Sequence, residues 1–144
     1  DDIEKVYCSP LSRCTDLASA LFQNFETDER LMELNFGDWE NKKWDEISST
    51  ELEPWMNDFV QCQVPNGESY EYLFNRNKDF LESLLETSHK KAALVTHAGN
   101  IRSILSYILD LPLENSFRIH LNYAAVVHIQ LKKDKNLCKL ISIK

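Results

Sequence analysis

The residues best suited to chemistry lie in one polar corner, residues 96–100, with His97 inside it. An apolar run at residues 93–95 precedes the corner and predicts a buried strand. A helical pattern follows, with apolar residues on one face: Ile101, Ile104, Leu105, Ile108 and Leu109. The first N–H groups of such a helix, together with its dipole, favour an anion. His97 is therefore a titratable ring beside a predicted anion site, at a turn for which Gly99 is suited.

A second candidate, Arg13, lies in the first turn of another predicted helix. Residues 5–8 predict a short strand, and Ser9 and Pro10 then suit the N-cap and the first helical position. The predicted buried side of this helix consists of Leu11, Ala18, Leu21, Phe22 and Phe25. A cation in the first turn opposes the helix dipole. Arg13 therefore either points into water or shares a bound anion with the helix end.

Carboxylates are concentrated in residues 30–40, where Gly37 interrupts an otherwise alternating pattern. Glu33, Asp38 and Glu40 are the candidates for acid–base chemistry in this segment. A run of acids is usually a solvated face, and only burial would keep one of them protonated for acid catalysis.

Composition limits the classes of partner. The chain carries 23 Asp and Glu against 16 Lys and Arg, a net charge of -7, which argues against nucleic acid and anionic membranes as partners. No apolar run approaches the ~20 residues of a membrane-spanning helix. The four cysteines have neither metal-ligand spacing nor the density of a disulfide scaffold, so we expect reduced thiols and a cytoplasmic protein. No metal and no cofactor are predicted.

The remaining pattern predicts one α/β domain over residues 1–144 that ends in a β-hairpin. Its predicted elements are a short helix at 51–63, a loop at 64–69, a long helix at 70–87, strands at 117–119 and 123–131, a charged turn at 132–136 and a returning strand at 137–143.

Three segments, in this order, resemble the motifs of the histidine phosphatase superfamily, which has the phosphoglycerate-mutase-like fold. They are Ser9-Pro10-Leu11-Ser12-Arg13, then Leu-x-Glu-x-x-Phe-Gly-x-Trp-Glu at residues 31–40, then Val95-Thr96-His97-Ala98-Gly99-Asn100-Ile101-Arg102. Residues 65–69 are similar to the Pro-x-Gly-Glu-Ser element of its small bacterial members. Within the family, the tryptophan-rich residues 39–47 and Cys14 are most similar to α-ribazole phosphatase.

This resemblance implies a three-layer α/β/α sandwich with a mostly parallel central sheet. It also implies roles for individual residues. Arg13 would clamp the phosphate, and His97 would donate to a phosphate oxygen, with the N–H of Ala98 as a further donor at a position where the family usually has glycine. Glu33 would be the general acid, with Asp38 and Glu40 as alternatives. Arg102 is expected to hold the strand–helix corner through a carboxylate, and a supporting role behind the site residues is left open for it. A core histidine bonded to a carbonyl is the alternative interpretation of His97.

One family motif is absent from the sequence. The nucleophilic histidine of the family lies in an Arg-His-Gly motif upstream of the Ser-Pro element, and these 144 residues contain no such motif. We expect the chain to lack the first strand of the fold with that motif, roughly 30 residues by average element lengths. The chain as given is then expected to be inactive, and a pseudoenzyme is the alternative.

The resemblance leaves several functions open. The first is a phosphomonoesterase that acts through a phosphohistidine, in particular one that dephosphorylates α-ribazole 5′-phosphate in cobalamin nucleotide-loop assembly. A phosphoglycerate-mutase-like phosphotransferase, a broad-specificity sugar phosphatase and an inactive phosphate-binding or interaction module are the alternatives. The expected partner is a small-molecule phosphomonoester, and a homodimer is left open.

Overall fold

The central sheet is built around the first strand that the sequence predicts. The structure, a computed structural model, describes residues 3–144. Its sheet contains β1 (Lys5–Cys8), β2 (Glu26–Thr27) and β3 (Ala92–Val95), in the order β2-β1-β3 with both pairs parallel. The strands predicted at residues 5–8 and 93–95 are therefore confirmed.

Helices cover both faces of this sheet. They are α1 (Ser12–Leu21) on one face and α3 (Tyr70–Leu85) and α4 (Ala98–Leu109) on the other, whereas α2 (Ser49–Asn57) packs against Trp39, Ile47 and Val64. Alternate residues of a strand point to opposite faces. Val6 and Cys8 accordingly pack with α1, whereas Tyr7 packs with α3 and α4 on the other side. This arrangement confirms the predicted α/β class, with helices on the two sides of a parallel sheet.

The C-terminal hairpin forms a separate two-stranded sheet. Its strands, β4 (Val127–Gln130) and β5 (Lys139–Ile143), pair in the antiparallel sense. The hairpin packs on α4, mainly through Leu105 and Ile108 of the helix against Ile129 and Leu140. The predicted hairpin is confirmed, although its first strand is shorter than residues 123–131 because Ala124 has a left-handed backbone (φ 57°).

Helix boundaries differ from the predictions in instructive ways. Helix α1 begins at Ser12 with Leu11 as its N-cap residue, because the Ser9 side chain faces the site described below instead of capping the helix. Leu21, predicted to be buried, is 62% exposed, and Cys14 contributes to the core in its place. In α3 the predicted start is confirmed, since Ser69 Oγ accepts a hydrogen bond from the N–H of Tyr72 (3.2 Å).

The strand predicted at residues 117–119 is wrong. Residues Leu113–Arg118 form a 3₁₀ helix that follows Pro112 and packs against α4. Arg102 of α4 donates from Nε to the carbonyl of Ile119 (3.0 Å), and its guanidinium lies over the Phe117 ring (5.2 Å). The expected carboxylate partner of Arg102 is wrong for the same reason: the side chain fastens this 3₁₀ helix to α4.

Two smaller expectations also fail. Helix α2 begins before residue 51 and ends at Asn57 instead of reaching residue 63. Leu109, placed on the apolar face of α4 by its spacing, is 37% exposed, because α4 ends there and Asp110 turns into the left-handed region. No helix within residues 3–144 has the length and apolar character needed to cross a membrane.

Candidate active site

Two parallel strands bring the candidate residues together. Cys8 of β1 pairs with Val95 of β3, so the chain leaves both strands at the same edge of the sheet. Ser9 and His97 follow these strand ends, and both are buried. His97 Nε2 lies 2.8 Å from Ser9 Oγ. This edge, outside the carboxyl ends of parallel strands, is where open α/β sheets bind ligands.

Arg13 reaches the same ring from the first turn of α1. Its Nε donates to His97 Nδ1 (3.2 Å), so Nδ1 carries no proton and the ring proton sits on Nε2, from which it is donated to Ser9. Burial, together with the smaller effect of the positive charges of Arg13 and Arg76, lowers the pKa of His97 to about 4. His97 is therefore neutral near neutral pH.

Cys14 completes the surroundings of the ring. Its Sγ lies 3.5 Å from His97 Nε2, and burial is the main reason that the pKa of its thiol is raised. The His97 ring thus contacts the side chains of Arg13, Cys14 and Ser9, and none of these contacts is to a backbone carbonyl.

The contacts of the His97 ring determine how it can donate a hydrogen bond to a bound anion. The one proton that neutral His97 carries lies on Nε2, so donation to an anion at Nδ1 requires either a second proton or a change of tautomer in which the Ser9 hydroxyl donates to Nε2. It also requires that Arg13 turn from Nδ1 toward the anion. The predicted donor role of His97 is therefore coupled to a proton at Nδ1 and to a movement of Arg13.

Glu33 lies at the N-terminus of α4. Its Oε2 accepts from the N–H of Gly99 (3.3 Å), and its Oε1 accepts from the N–H of Leu34 (3.1 Å). Gly99 is the second residue of α4, and a Cβ there would collide with the Glu33 carboxylate. The glycine thus leaves room for this carboxylate, and its backbone conformation does not call for glycine as the predicted tight turn would. The anion predicted at this helix end is, in part, the protein's own carboxylate.

The other predicted residues have different surroundings. Ala98 is the exposed first residue of α4, next to His97, and its backbone φ is not in the left-handed region. Asp38 accepts from Asn66 Nδ2 (2.9 Å), and Glu40 accepts from the N–H of Phe36 (2.9 Å). Both carboxylates are exposed and serve loop structure, which leaves Glu33 as the acid that lies beside the corner of His97.

Residues 65–69, singled out by their resemblance, dock onto the segment that carries Glu33. The N–H of Glu68 donates to the carbonyl of Asn35 (2.8 Å), and the N–H of Asp38 donates to the carbonyl of Pro65 (2.9 Å). The two backbone segments approach so closely that a Cβ on Gly37 or Gly67 would overlap the backbone of the other segment. Gly37 is also in the left-handed region (φ 45°).

Sequence reasoning missed Arg76, which lies inside α3. Its guanidinium contacts Glu68 and two backbone carbonyls of residues 30–33. The sequence signal for Arg76 is only a basic residue within a predicted helix, which by itself indicates no function.

An aromatic cluster flanks the Glu33 segment and contains all three tryptophans of the chain. Trp55 stacks on Trp44 (centroids 5.6 Å apart) and meets Trp39 edge-on (5.7 Å). A cavity of about 200 Å³ lies beside Phe36 in this cluster, and neither Glu33 nor His97 lines it. In the part of the chain that the structure describes, no group of three or more His, Cys, Asp or Glu side chains could hold a metal ion.

The model of the histidine phosphatase superfamily (branch 1) matches residues 1–144. The chain belongs to this superfamily. Among curated relatives, the protein named "Putative phosphoserine phosphatase 2" of Hydrogenobacter thermophilus is 27% identical over 141 residues, 93% of this chain and 70% of the relative. The protein named "Probable phosphoglycerate mutase GpmB" of Yersinia pestis (strain Pestoides F) is 31% identical over 122 residues, 81% of this chain. The chain spans only 56% of that second relative's length.

Solved structures of this superfamily share the fold. An α-ribazole phosphatase from Shigella flexneri superimposes with a TM-score of 0.83 at 21% identity, covering 97% of this chain and 72% of that one. A mycobacterial glucosyl-3-phosphoglycerate phosphatase gives a TM-score of 0.77 at 22% identity, over 90% of this histidine phosphatase chain and 68% of the other. The family and the phosphoglycerate-mutase-like fold expected from the sequence are confirmed.

Proposed function

We propose that this protein is a metal-independent phosphomonoesterase of the histidine phosphatase type. The observation that carries the proposal is the contact between Arg13 Nε and His97 Nδ1 (3.2 Å), made where two parallel strands end. A guanidinium and an imidazole that face each other at the start of a helix form a binding site suited to a phosphate group.

Phosphate binding in this proposal rearranges the Arg13–His97 contact. A phosphomonoester carries about -1.5 to -2 charge near neutral pH and accepts the guanidinium fork on two oxygens. Arg13 turns onto these oxygens, and the His97 proton moves to Nδ1, from which it is donated to the anion while the Ser9 hydroxyl donates to Nε2. The N–H of Ala98, at the first position of α4, supplies another donor.

Glu33 protonates the oxygen of the leaving alcohol. Its carboxyl lies against Gly99, two residues beyond His97, and is therefore close to any anion seated at this corner. A bound dianion favours the protonated carboxyl because like charges repel. The proton passes to the leaving oxygen as the P–O bond breaks.

The attacking nitrogen of the phosphohistidine is proposed to come from outside these 144 residues, since the sequence contains no Arg-His-Gly motif. His97 is a poor substitute because one ring nitrogen faces Ser9 and the other faces Arg13. Residues 1–144 alone are accordingly proposed to bind phosphate without hydrolysing a phosphomonoester.

The proposed substrate is α-ribazole 5′-phosphate in cobalamin nucleotide-loop assembly. Support comes from the tryptophan-rich residues 39–47 and from the fold shared with a protein named α-ribazole phosphatase. A mutase-like phosphotransferase is the second candidate, favoured by the 31% identity to a protein named phosphoglycerate mutase. A broad-specificity sugar phosphatase or an inactive phosphate-binding module remains the further alternative. A cytoplasmic location, based on the cysteine content, belongs to the same proposal.

The test compares substrates in the full-length natural protein. We expect steady hydrolysis of α-ribazole 5′-phosphate in preference to phosphoserine, and no transfer between positions of phosphoglycerate. His97→Ala should cost roughly 3 kcal/mol of transition-state stabilisation, about a hundredfold in rate, whereas His128→Ala on the exposed hairpin should not. Phosphoryl transfer between hydroxyls without release of phosphate would favour the mutase, and near-normal turnover by His97→Ala would reject the site.

A further inference from the structure

Arg76 holds the backbone of the segment that carries Glu33. Its side chain is 13% exposed, although it projects from the middle of α3. Nη1 donates to the carbonyl of Arg30 (2.8 Å), and Nη2 donates to the carbonyl of Glu33 itself (3.0 Å). One guanidinium therefore fixes two carbonyls of a segment that lacks regular sheet or α-helix pairing.

Glu68 completes the attachment from the other side. Its two carboxylate oxygens accept from Arg76 Nε (3.2 Å) and Nη2 (3.0 Å). Glu68 Oε2 also accepts from the N–H of Asn35 (3.0 Å). The Arg76–Glu68 pair thus binds the chain at residues 30, 33 and 35, on both sides of the Glu33 side chain.

This attachment determines where the Glu33 carboxyl can reach. The backbone of Glu33 is held by α3, whereas its carboxylate contacts Gly99 of α4 at 3.3 Å, near the limit of a hydrogen bond. A shift of the segment by about 1 Å would break that contact, and misplacements of this size cost roughly a hundredfold in rate at catalytic groups.

A buried ion pair is weak evidence for a contribution to stability, because removing its charges from water offsets much of the attraction. Arg76, however, donates two hydrogen bonds beyond its ion pair with Glu68, to the backbone carbonyls of Arg30 and Glu33. We propose that Arg76, supported by Glu68, is the positioning residue for Glu33. This inference rests on the proposed function only in assigning Glu33 as the general acid.

The direct test uses residues 1–144 labelled with ¹⁵N-glycine. The chain has three glycines, so the spectrum contains one amide signal each for Gly37, Gly67 and Gly99. The Gly99 amide donates to Glu33 and should shift as that carboxyl is titrated with acid. His97, two residues away, also gains a proton near pH 4. Glu33→Gln should therefore remove the part of the shift that comes from the carboxyl and leave the part that comes from His97, which assigns the signal.

Arg76→Lys keeps the charge but cannot supply the fork to Glu68 and the two carbonyl bonds. We expect the folded variant to lose most of the part of the Gly99 shift that Glu33→Gln removes. The matched control is Arg30→Lys, an arginine of the same segment whose side chain pairs with Asp28 instead. Dispersed glycine signals and a cooperative thermal transition identify folded protein. If Arg76→Lys does not fold, Glu68→Gln replaces it as the variant that weakens the attachment, and the same loss of shift is expected. An unchanged Gly99 titration in either folded variant would overturn the positioning role.

A kinetic arm in the full-length natural protein separates this inference from the proposed function. Arg76→Lys should lower kcat for an alkyl phosphate about tenfold more than for an aryl phosphate, with KM little changed. In a Glu33→Gln background the same substitution should add no further selectivity. If Glu33→Gln itself shows no such selectivity, the general-acid assignment fails. If Glu33→Gln is selective and Arg76→Lys is not, only the positioning role fails.

Discussion

The neutral, buried ring of His97 makes a pH-dependent contribution to stability that can be measured without any substrate. An unfolded chain exposes the ring, and its pKa returns to the ordinary 6.5, whereas in the folded protein burial and two nearby arginines lower it to about 4. Between these values the unfolded state binds one more proton than the folded state. Stability therefore falls as pH is lowered through this window and the loss is complete below about pH 4.

The size of the effect follows from the same shift. Each pKa unit corresponds to about 1.36 kcal/mol, so the shift sets an upper limit of about 3 kcal/mol. His97 is 7% exposed, but Arg13 beside it is solvent-exposed and can move away from a charged ring. We therefore expect a loss of about 2 kcal/mol, a large fraction of the stability of a small domain.

The assay is urea unfolding of residues 1–144 at a series of pH values from about 7 down to about 4.5. His97→Gln keeps a donor for Ser9 but has no ring to titrate, so its stability should be nearly flat where the wild-type protein loses stability. His128→Gln, which removes an exposed histidine, should behave like wild type. The pKa of Asp28 is also lowered, by its hydrogen bonds to Arg30. Its contribution to the pH dependence of stability cancels in the comparison, because wild type and both variants contain Asp28. Parallel pH profiles for wild type and His97→Gln would refute the reasoning.

Two further predictions concern Glu33 in the full-length natural protein. Glu33→Gln should slow a sugar phosphate much more than an aryl phosphate, whose phenolate leaves without a proton, and equal losses would mean that Glu33 only packs or binds. Gly99→Ala should gain up to about 1 kcal/mol of helix propensity while its Cβ pushes the flexible Glu33 carboxylate aside. It should therefore reproduce the substrate selectivity of Glu33→Gln with an undiminished melting temperature, and a wild-type rate ratio would contradict this.

The sequence identifies the corner around His97 because its signals are local. A short apolar run, a polar turn and an amphipathic helix lie next to one another in the chain, and each pattern depends only on neighbouring residues. The convergence of Arg13 with His97 follows once the two strands are parallel neighbours, and the family resemblance supplies that pairing.

What the sequence does not reveal depends on contacts between distant segments. Arg76 acts through two carbonyls, which any residue type would provide, so no side-chain pattern marks its partners. Gly99 leaves room for a carboxylate 66 positions away in the chain, and its own backbone conformation does not call for glycine. The segment at residues 117–119 has strand-like composition, but Arg102 anchors it to α4, and tertiary contacts override local propensity.

The most direct test of the central claim is calorimetric titration of residues 1–144 with orthophosphate. Arg13→Ala should weaken binding by about 2 kcal/mol, roughly thirtyfold, because one charge-assisted contact is removed. Lys139→Ala on the exposed strand β5 removes the same charge from the surface and should leave the affinity nearly unchanged. Equal loss in both variants, or orthophosphate binding that is indifferent to Arg13, would contradict a phosphate site built on Arg13 and His97.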